Sequence, residues 1–222
     1  MLRRDMQPEE VALYPTDELA HYLRMPTSTV RNWLTRGGRL KREHAQLLTF
    51  EELISLLFVG ELRHRHNVKF KEIIRAEQDL RARIGKEHPF AWERLWTAGG
   101  DVMVRVPGEP ETFIAASRLG QTTLPNWVEP REVAVPALVA PLRDQVGYHE
   151  ERAAVWRPAP HVTARPAVQF GVPCVDGSRL PTRTVIRAVE AGDTPEEVAA
   201  AYGASPDGVR AAVGWELSLL AA

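Results

Sequence analysis

The sequence predicts a mainly α protein with an N-terminal winged helix-turn-helix, a connector that contains a β-hairpin, and a C-terminal three-helix unit with a second helix-turn-helix. Three observations predict this class. Apolar residues recur at helical spacing in two short segments before residue 37 and again after residue 180. Between them, strand-like alternation and many prolines occupy residues 91–159. The predicted domains are therefore residues 1–90, 91–159 and 160–222.

Two helices that meet at a tight turn are predicted between Thr16 and Arg36. Their apolar residues share one face of each helix: Leu19, Ala20, Leu23, Val30, Trp33 and Leu34. Thr16 and Thr27 are predicted N-caps, because a threonine hydroxyl can accept a free amide at a helix start. The glycines at 37 and 38 are expected to end the second helix. This spacing is typical of a helix-turn-helix, whose second helix enters the DNA major groove.

The polar face of the second helix and the basic segment after it form the predicted DNA-binding surface. Its residues are Thr27, Ser28, Thr29, Arg31, Asn32, Thr35, Arg36, Arg39, Lys41 and Arg42. Arg31 and Asn32 are expected to read bases, because their side chains match guanine and adenine edges. A hairpin over residues 39–48 would form the wing and hold the last three cations against phosphates. The alternative is the solvated face of an ordinary helical hairpin, but such a face usually mixes both signs of charge. The stretch between Glu18 and Glu43 contains no acid.

Two further helices are predicted after the wing. A capping box at Thr49–Glu52 opens the first, and the second carries apolar residues at helical spacing from Phe70 to Ile84. This order, over roughly residues 12 to 85, resembles the DNA-binding domain of MerR-family regulators. The resemblance implies that residues 27–36 meet the major groove. MerR regulators continue into a long dimerising helix. In this chain the helical pattern instead stops at His88-Pro89, and a proline-rich, strand-like segment follows.

The connector is expected to hold packed structure. Residues 101–106 and 111–115 predict a β-hairpin around the prolines at 107 and 110, and a short helix is possible at 137–145. The tryptophans at 92, 96, 127 and 156 make the segment too apolar for a free linker. A stacking platform for single-stranded nucleic acid is the alternative to core packing for these rings.

The C-terminal segment predicts three helices. The first runs from about Pro181 to Ala191, and a second capping box at Thr194–Glu197 opens the next, which ends at Tyr202-Gly203. The third begins at Ser205-Pro206 and completes a second helix-turn-helix. Its expected exposed residues are Asp207, Gly208, Arg210 and Ala211. This face is small, nearly uncharged and close to several acids, so protein contact is expected there rather than DNA contact.

The C-terminal segment also resembles a known family. The order Gly171-x-Pro173, then Gly177-Ser-Arg-Leu-Pro-Thr182, then Ala191-Gly-Asp-Thr-Pro-Glu-Glu197 looks like the "domain of unknown function 433" family. Members are commonly antitoxins of bacterial type II toxin–antitoxin pairs, partnered with PIN-like ribonuclease toxins. Together with an N-terminal winged domain, the resemblance implies a VapB-type antitoxin that binds its toxin and represses its own operon.

The expected toxin contact is the C-terminal unit, where an arginine could pair with the metal-binding carboxylates of the nuclease. The candidates are Arg179, Arg183, Arg187 and Arg210. For each of them the alternative is an ordinary surface arginine. The connector around residues 127–156 is the other possible toxin contact. A homodimer is expected, because two half-sites restore the discrimination that one small winged domain lacks.

Composition narrows the function classes. The net charge is −1, so DNA contact must be local, and the single cysteine, Cys174, allows no internal disulfide. We expect a cytoplasmic protein without a membrane span, because no apolar run is long enough. His64 and His66 stand two apart, which does not suit a helical metal pair, and no catalytic constellation is recognisable. No enzyme activity, metal or cofactor is therefore expected. The alternatives to an antitoxin are a stand-alone MerR-like dimeric regulator and a protein-interaction scaffold.

Overall fold

The computed structural model describes residues 12–36, 47–64, 68–92, 95–98, 101–105, 113–115, 144–150 and 152–220. Over these ranges the chain is mainly helical, as the sequence predicts. The helices are α1 (Thr16–Tyr22), α2 (Thr27–Arg36), α3 (Phe50–His64), α4 (Phe70–Ile84), α5 (Thr182–Glu190), α6 (Pro195–Tyr202) and α7 (Pro206–Leu220).

Nine short strands form three sheets in the same ranges. They are β1 (Ala12–Pro15), β2 (Leu47–Thr49), β3 (Leu95–Ala98), β4 (Asp101–Arg105), β5 (Phe113–Ala115), β6 (Val146–His149), β7 (Arg152–Ala159), β8 (Val162–Ala164) and β9 (Cys174–Val175). The sheet orders are β1-β2, β3-β4-β5 and β6-β7-β8-β9. The antiparallel pairing of β4 with β5 confirms the predicted hairpin, and β3 extends it by one strand.

Two compact units divide the chain, and both combine distant parts of the sequence. Unit 1 consists of residues 1–50, 145–147 and 154–222, and unit 2 of residues 51–144 and 148–153. Unit 1 therefore contains the first helix-turn-helix together with the three C-terminal helices. These units cut across the three sequence ranges predicted as domains.

A series of four aromatic rings runs through the core of unit 1. Tyr14 meets Tyr22 at 6.2 Å between ring centroids, Tyr22 meets Trp156 at 6.1 Å, and Trp156 meets Trp215 at 5.9 Å. The rings contact edge to face, an arrangement worth about 0.5–1.5 kcal/mol per pair beyond the area that is buried. All four rings are buried. Burial of Trp156 confirms core packing for this ring of the predicted connector; Trp127 lies outside the described residues.

Unit 2 contains α4, most of α3 and the β3-β4-β5 sheet. α4 ends at Gly85, whose φ of 66° is the left-handed conformation that glycine adopts without strain. A 3₁₀ turn over Pro89–Ala91 follows, with Phe90 fully buried. The Arg152 guanidinium makes an ion pair with the mostly buried carboxylate of Glu51. This ion pair joins the first residue of β7 to α3 within the unit.

The predicted helix caps and the predicted wing can be compared with the structure residue by residue. The N-cap of α1 is Pro15 rather than Thr16, because Pro15 ends β1 and Thr16 already lies inside the helix, without a side-chain capping bond. Thr27 is likewise the first residue of α2 and not the residue before it, and the Pro26 carbonyl accepts from the Val30 amide. The capping box of Thr194 and Glu197 is confirmed, with both reciprocal hydrogen bonds present. Of the predicted wing, Leu47 and Leu48 lie in β2 and pair with β1. Residues 39–46 and 137–143, predicted as wing and short helix, lie outside the described residues.

Candidate nucleic-acid interface

The helix pair α1 and α2, predicted from the sequence as a helix-turn-helix, has the apolar core that its sequence predicts. The turn between the helices is closed by backbone hydrogen bonds from Leu23 to Leu19 (2.9 Å) and from Met25 to Ala20 (3.0 Å). The predicted apolar residues are all buried: Leu19, Ala20, Leu23, Val30, Trp33 and Leu34. Burial of this face fixes which side of α2 remains available to a partner.

The available side of α2 carries four exposed polar residues at one helical face. Ser28, Arg31, Asn32 and Thr35 are spaced by three, one and three positions, so they project from the same side of the helix. Thr27 and Thr29 are half-buried beside them. The Thr35 hydroxyl donates to the Arg31 carbonyl at 2.8 Å, a bond that leaves the Arg31 guanidinium uninvolved. The first turn of α2 contains no acid.

The remaining predicted DNA contacts follow this face in sequence. Arg36 is the last residue of α2. Arg39, Lys41 and Arg42 lie outside the described residues, so the phosphate-contacting wing remains a prediction. One further cation of the same sequence stretch, Arg24, points elsewhere: it donates to the Ser218 hydroxyl at 2.7 Å and lies 5.5 Å over the Trp215 ring. Arg24 thus joins the turn of the helix-turn-helix to α7.

Helix α1 is held in unit 1 by polar contacts as well as by the aromatic series. The Tyr22 hydroxyl donates to the Glu18 carboxylate at 2.6 Å, and the same carboxylate lies 3.6 Å from the Arg183 guanidinium of α5. The buried Tyr14 hydroxyl donates to the Gly171 carbonyl at 2.7 Å. Burial, and then the nearby Glu18 carboxylate, raise the pKa of both tyrosines well above the usual range. Both phenols therefore remain neutral donors.

The helix pair α6 and α7, predicted as a second helix-turn-helix, presents a different surface. Arg210 pairs with Asp207 (2.6 Å) and with Glu196, so its charge is balanced locally. The prediction that Gly208 is exposed is wrong. Gly208 is buried against β9, where an added Cβ would lie 2.6 Å from Val175 Cγ1. A glycine here lets α7 approach the sheet more closely than any side chain would allow.

The C-terminal motif residues mainly shape the fold. The Thr182 hydroxyl donates to the buried Glu216 carboxylate and joins α5 to α7. The Ser178 hydroxyl donates to the Val175 carbonyl at 2.8 Å and accepts from the Leu180 amide at 3.1 Å. Gly177 has a φ of 73°, which the turn after β9 requires. These contacts explain the order of the motif without a catalytic role.

The four arginines predicted to contact the toxin differ in whether they form ion pairs. Arg183 pairs with Glu18, and Arg210 with two carboxylates, as described above. Arg179 and Arg187 are exposed, and neither has a carboxylate partner within the part of the chain that the structure describes. Cys174, close to Arg179, is buried; burial raises the pKa of its thiol to about 11, although the positive charge of Arg179 opposes this shift.

Two features of unit 1 escaped the sequence analysis. The contacts of Tyr14 with Gly171 and of Tyr22 with Trp156 were not predicted, because no periodic pattern marks a contact between segments more than 130 residues apart. No role was predicted for Phe170 from the sequence, yet its side chain is 72% exposed. None of the described helices is long and apolar enough to cross a bilayer.

Comparison with known proteins finds a family match for one part of the chain and similar proteins for most of it. A family model described as "Protein of unknown function (DUF433)" matches residues 162–215, from β8 into α7. The chain is 26% identical over 224 residues to "Uncharacterized protein Rv2308" of Mycobacterium tuberculosis (strain ATCC 25618 / H37Rv), which covers 90% of this chain and 87% of that protein. It is also similar to the X-ray crystal structure of Rv2018 from Mycobacterium tuberculosis, with a TM-score of 0.63 and 22% identity. That match covers 91% of this chain and 98% of the other, and shows a shared fold.

Proposed function

We propose that this protein is a VapB-type antitoxin, which binds operator DNA through α2 and neutralises a PIN-like ribonuclease encoded beside it. The observation that carries the DNA-binding half is the face of Ser28, Arg31, Asn32 and Thr35 on α2. This face is exposed, free of acids in its first turn, and backed by a fully buried apolar side. Arg31 and Asn32 contact bases in this proposal, and Arg39, Lys41 and Arg42 contact phosphates as a MerR-like wing.

The toxin-binding half is supported by the match of residues 162–215 to the DUF433 family and by the resemblance to antitoxins that its motifs carry. The paired Arg210 and the buried Gly208 make the second helix-turn-helix a poor DNA reader, since phosphates need unpaired cations. This leaves the C-terminal helices of unit 1 available for a protein partner. The working form is a homodimer whose two α2 helices occupy half-sites one helical turn apart.

The DNA-binding half is tested with the full chain and the duplex that precedes its own gene. Arg31→Ala should weaken binding to this duplex by about 1–3 kcal/mol and relax the preference over unrelated duplexes, because a bidentate base contact is lost. Arg157→Ala, an exposed arginine on β7, is the matched control and should leave affinity unchanged. Lys41→Ala should weaken all duplexes alike and reduce the salt slope by about one. If Arg31→Ala binds this duplex as tightly as the unchanged chain does, base recognition does not depend on this face of α2.

The toxin-binding half is tested by co-expression with the protein encoded next to this gene. A stable complex and inhibition of ribonuclease activity are the expected results. The alternative, a stand-alone MerR-like dimeric regulator, predicts sequence-specific duplex binding without any such complex. Light scattering at operator-binding concentrations tests the dimer, and a monomer would remove that part of the proposal.

A further inference from the structure

Phe170 is the most exposed large apolar side chain among the described residues. It is 72% exposed and lies in the 3₁₀ turn Gln169–Gly171 of unit 1, between β8 and β9. Single exposed apolar residues are common on protein surfaces and need no explanation by themselves. The backbone and the contacts around this one distinguish it.

The turn holds Phe170 in an unfavourable conformation. Gln169, Phe170 and Gly171 have φ values of 49°, 56° and 83°, three consecutive residues in the left-handed region. For each residue with a Cβ this conformation costs about 1–2 kcal/mol relative to the right-handed one. Backbone strain of this kind persists only where the surrounding structure enforces it, and it is concentrated at ligand and partner sites.

Two hydrogen bonds enforce the turn. The Tyr14 hydroxyl, buried in the aromatic series, donates to the Gly171 carbonyl, and the Gln169 side-chain amide donates to the Arg179 carbonyl at 3.1 Å. Both anchors lie outside the turn, in β1 and in the loop before α5. A phenyl ring on an anchored turn loses little conformational entropy when a partner covers it, so it binds more tightly than a ring on a free loop.

The charged residues near the turn include two arginines and one carboxylate within the described ranges. The Gln169–Arg179 hydrogen bond places the main chain of Arg179 beside the turn. The Arg179 side chain is exposed and forms no ion pair with a carboxylate in the described ranges. Arg165, four residues before the turn begins, lies 3.7 Å from the exposed carboxylate of Asp176, a pair that water screens strongly. The charge next to Phe170 is therefore suited to an acidic partner. An aromatic anchor with a cation at its rim is a common composition of binding hot spots.

We infer that Phe170 is the anchor of the toxin-binding surface, with Arg179 at its rim. The inference rests on the proposed antitoxin function and specifies its contact. The occupant is an acidic surface of the neighbouring nuclease with an apolar pocket for one phenyl ring. The guanidinium of Arg179 then faces the carboxylates beside that pocket.

The test measures binding of full-length variants to the tagged nuclease encoded next to this gene. Phe170→Ala should weaken the complex at least about 30-fold, the size expected for a hot-spot residue, and Phe170→Tyr should retain most of the affinity. Arg179→Glu should weaken it more than Arg179→Lys does. Tyr202→Ala removes another exposed aromatic side chain, 54% exposed on α6, and should change affinity less than threefold. Each variant is also measured for thermal unfolding and for binding to its duplex, both of which should match the unchanged chain.

The outcomes separate this inference from the function on which it rests. If the unchanged chain forms no complex, the antitoxin proposal is overturned and the inference with it. If the unchanged chain binds and Phe170→Ala binds equally well, the inference alone is overturned. If Phe170→Ala dissociates a homodimer while nuclease binding persists, the turn contacts a second copy of this chain and the inference is also overturned.

Discussion

At the scale of single residues, the Tyr14 hydroxyl joins the segment before the first helix-turn-helix to the C-terminal motif. Its hydrogen bond to the Gly171 carbonyl is fully buried, and Gly171 belongs to the turn that holds Phe170. Burial keeps this phenol protonated, so the bond has the same form throughout the physiological pH range. The contact makes the geometry of the turn depend on residues at the other end of the sequence.

We expect Tyr14→Phe to lower the free energy of unfolding by about 1–3 kcal/mol, because the change leaves a buried carbonyl without its donor. Urea unfolding followed by circular dichroism measures the loss. Tyr202→Phe, which removes a hydroxyl from an exposed ring, is the control and should be neutral. Equal midpoints for both variants would show that the Gly171 carbonyl finds another donor.

The Cys174 thiol should be unreactive in the folded chain. Burial raises its pKa from 9.0 to about 11, so only a small fraction is thiolate at pH 8. Because the folded state holds this proton more tightly, its stabilising contribution is complete below pH 9 and is lost as the pH rises toward 11. Alkylation by iodoacetamide at pH 8 should be much slower in buffer than in denaturing urea. Similar rates in both conditions would contradict a buried thiol.

At the scale of secondary-structure elements, α7 contains two glycines in contrasting environments. A Cβ at Gly208 would lie 2.6 Å from Val175 and 2.8 Å from the Ser205 hydroxyl, whereas a Cβ at Gly214 would meet nothing within 4 Å. Both positions lie inside the same helix, so they share the effect of backbone entropy. A difference in stability between alanine variants at these two positions therefore measures the effect of the close contact between α7 and β9.

Gly208→Ala should therefore destabilise the protein by about 1–3 kcal/mol, the cost of overpacking a tight contact. Gly214→Ala should stabilise it by about 0.5–1 kcal/mol, because alanine loses less entropy in a helix. The two thermal unfolding midpoints, measured side by side, should move in opposite directions. A midpoint for Gly208→Ala at or above that of the unchanged chain would refute the close contact.

At the scale of the whole molecule, unit 1 depends on residues from both ends of the described chain. The ring of Tyr22 contacts Trp156, Trp156 contacts Trp215, and Arg24 lies over Trp215. A ligand on the C-terminal helices and a duplex on α2 would therefore bind parts of one compact unit. Replacing Tyr22 with alanine removes the ring that contacts Trp156, and with it a contact between the N-terminal and C-terminal parts of unit 1.

Tyr22→Ala should cost about 3–5 kcal/mol of stability, as truncation of a buried aromatic ring typically does. A chain lacking residues 1–36 should show a further fall in its unfolding midpoint, since both tryptophans lose their N-terminal neighbours. Differential scanning calorimetry measures both. An unfolding midpoint for the shortened chain equal to that of the full chain would mean that the C-terminal part of unit 1 is stable alone.

The sequence alone determined the local elements. Helical spacing and capping residues predicted α1, α2 and the three C-terminal helices, because these signals depend on neighbours within a few positions. The capping box of Thr194 and the face of Arg31 and Asn32 belong to this class. The β4–β5 hairpin was recognisable for the same reason, as only a short proline-containing segment of the sequence separates its two strands.

Only the tertiary structure decided which elements share a core. The aromatic series joins Tyr14 and Tyr22 to Trp156 and Trp215, and nothing in the spacing of these residues specifies the pairing. Shape decided the burial of Gly208, and the hydrogen bond from Tyr14 anchors the turn that carries Phe170. Local periodicity shows which face of an element is apolar, whereas the partner of that face follows from how all such faces pack together with the fewest voids and unpaired polar groups.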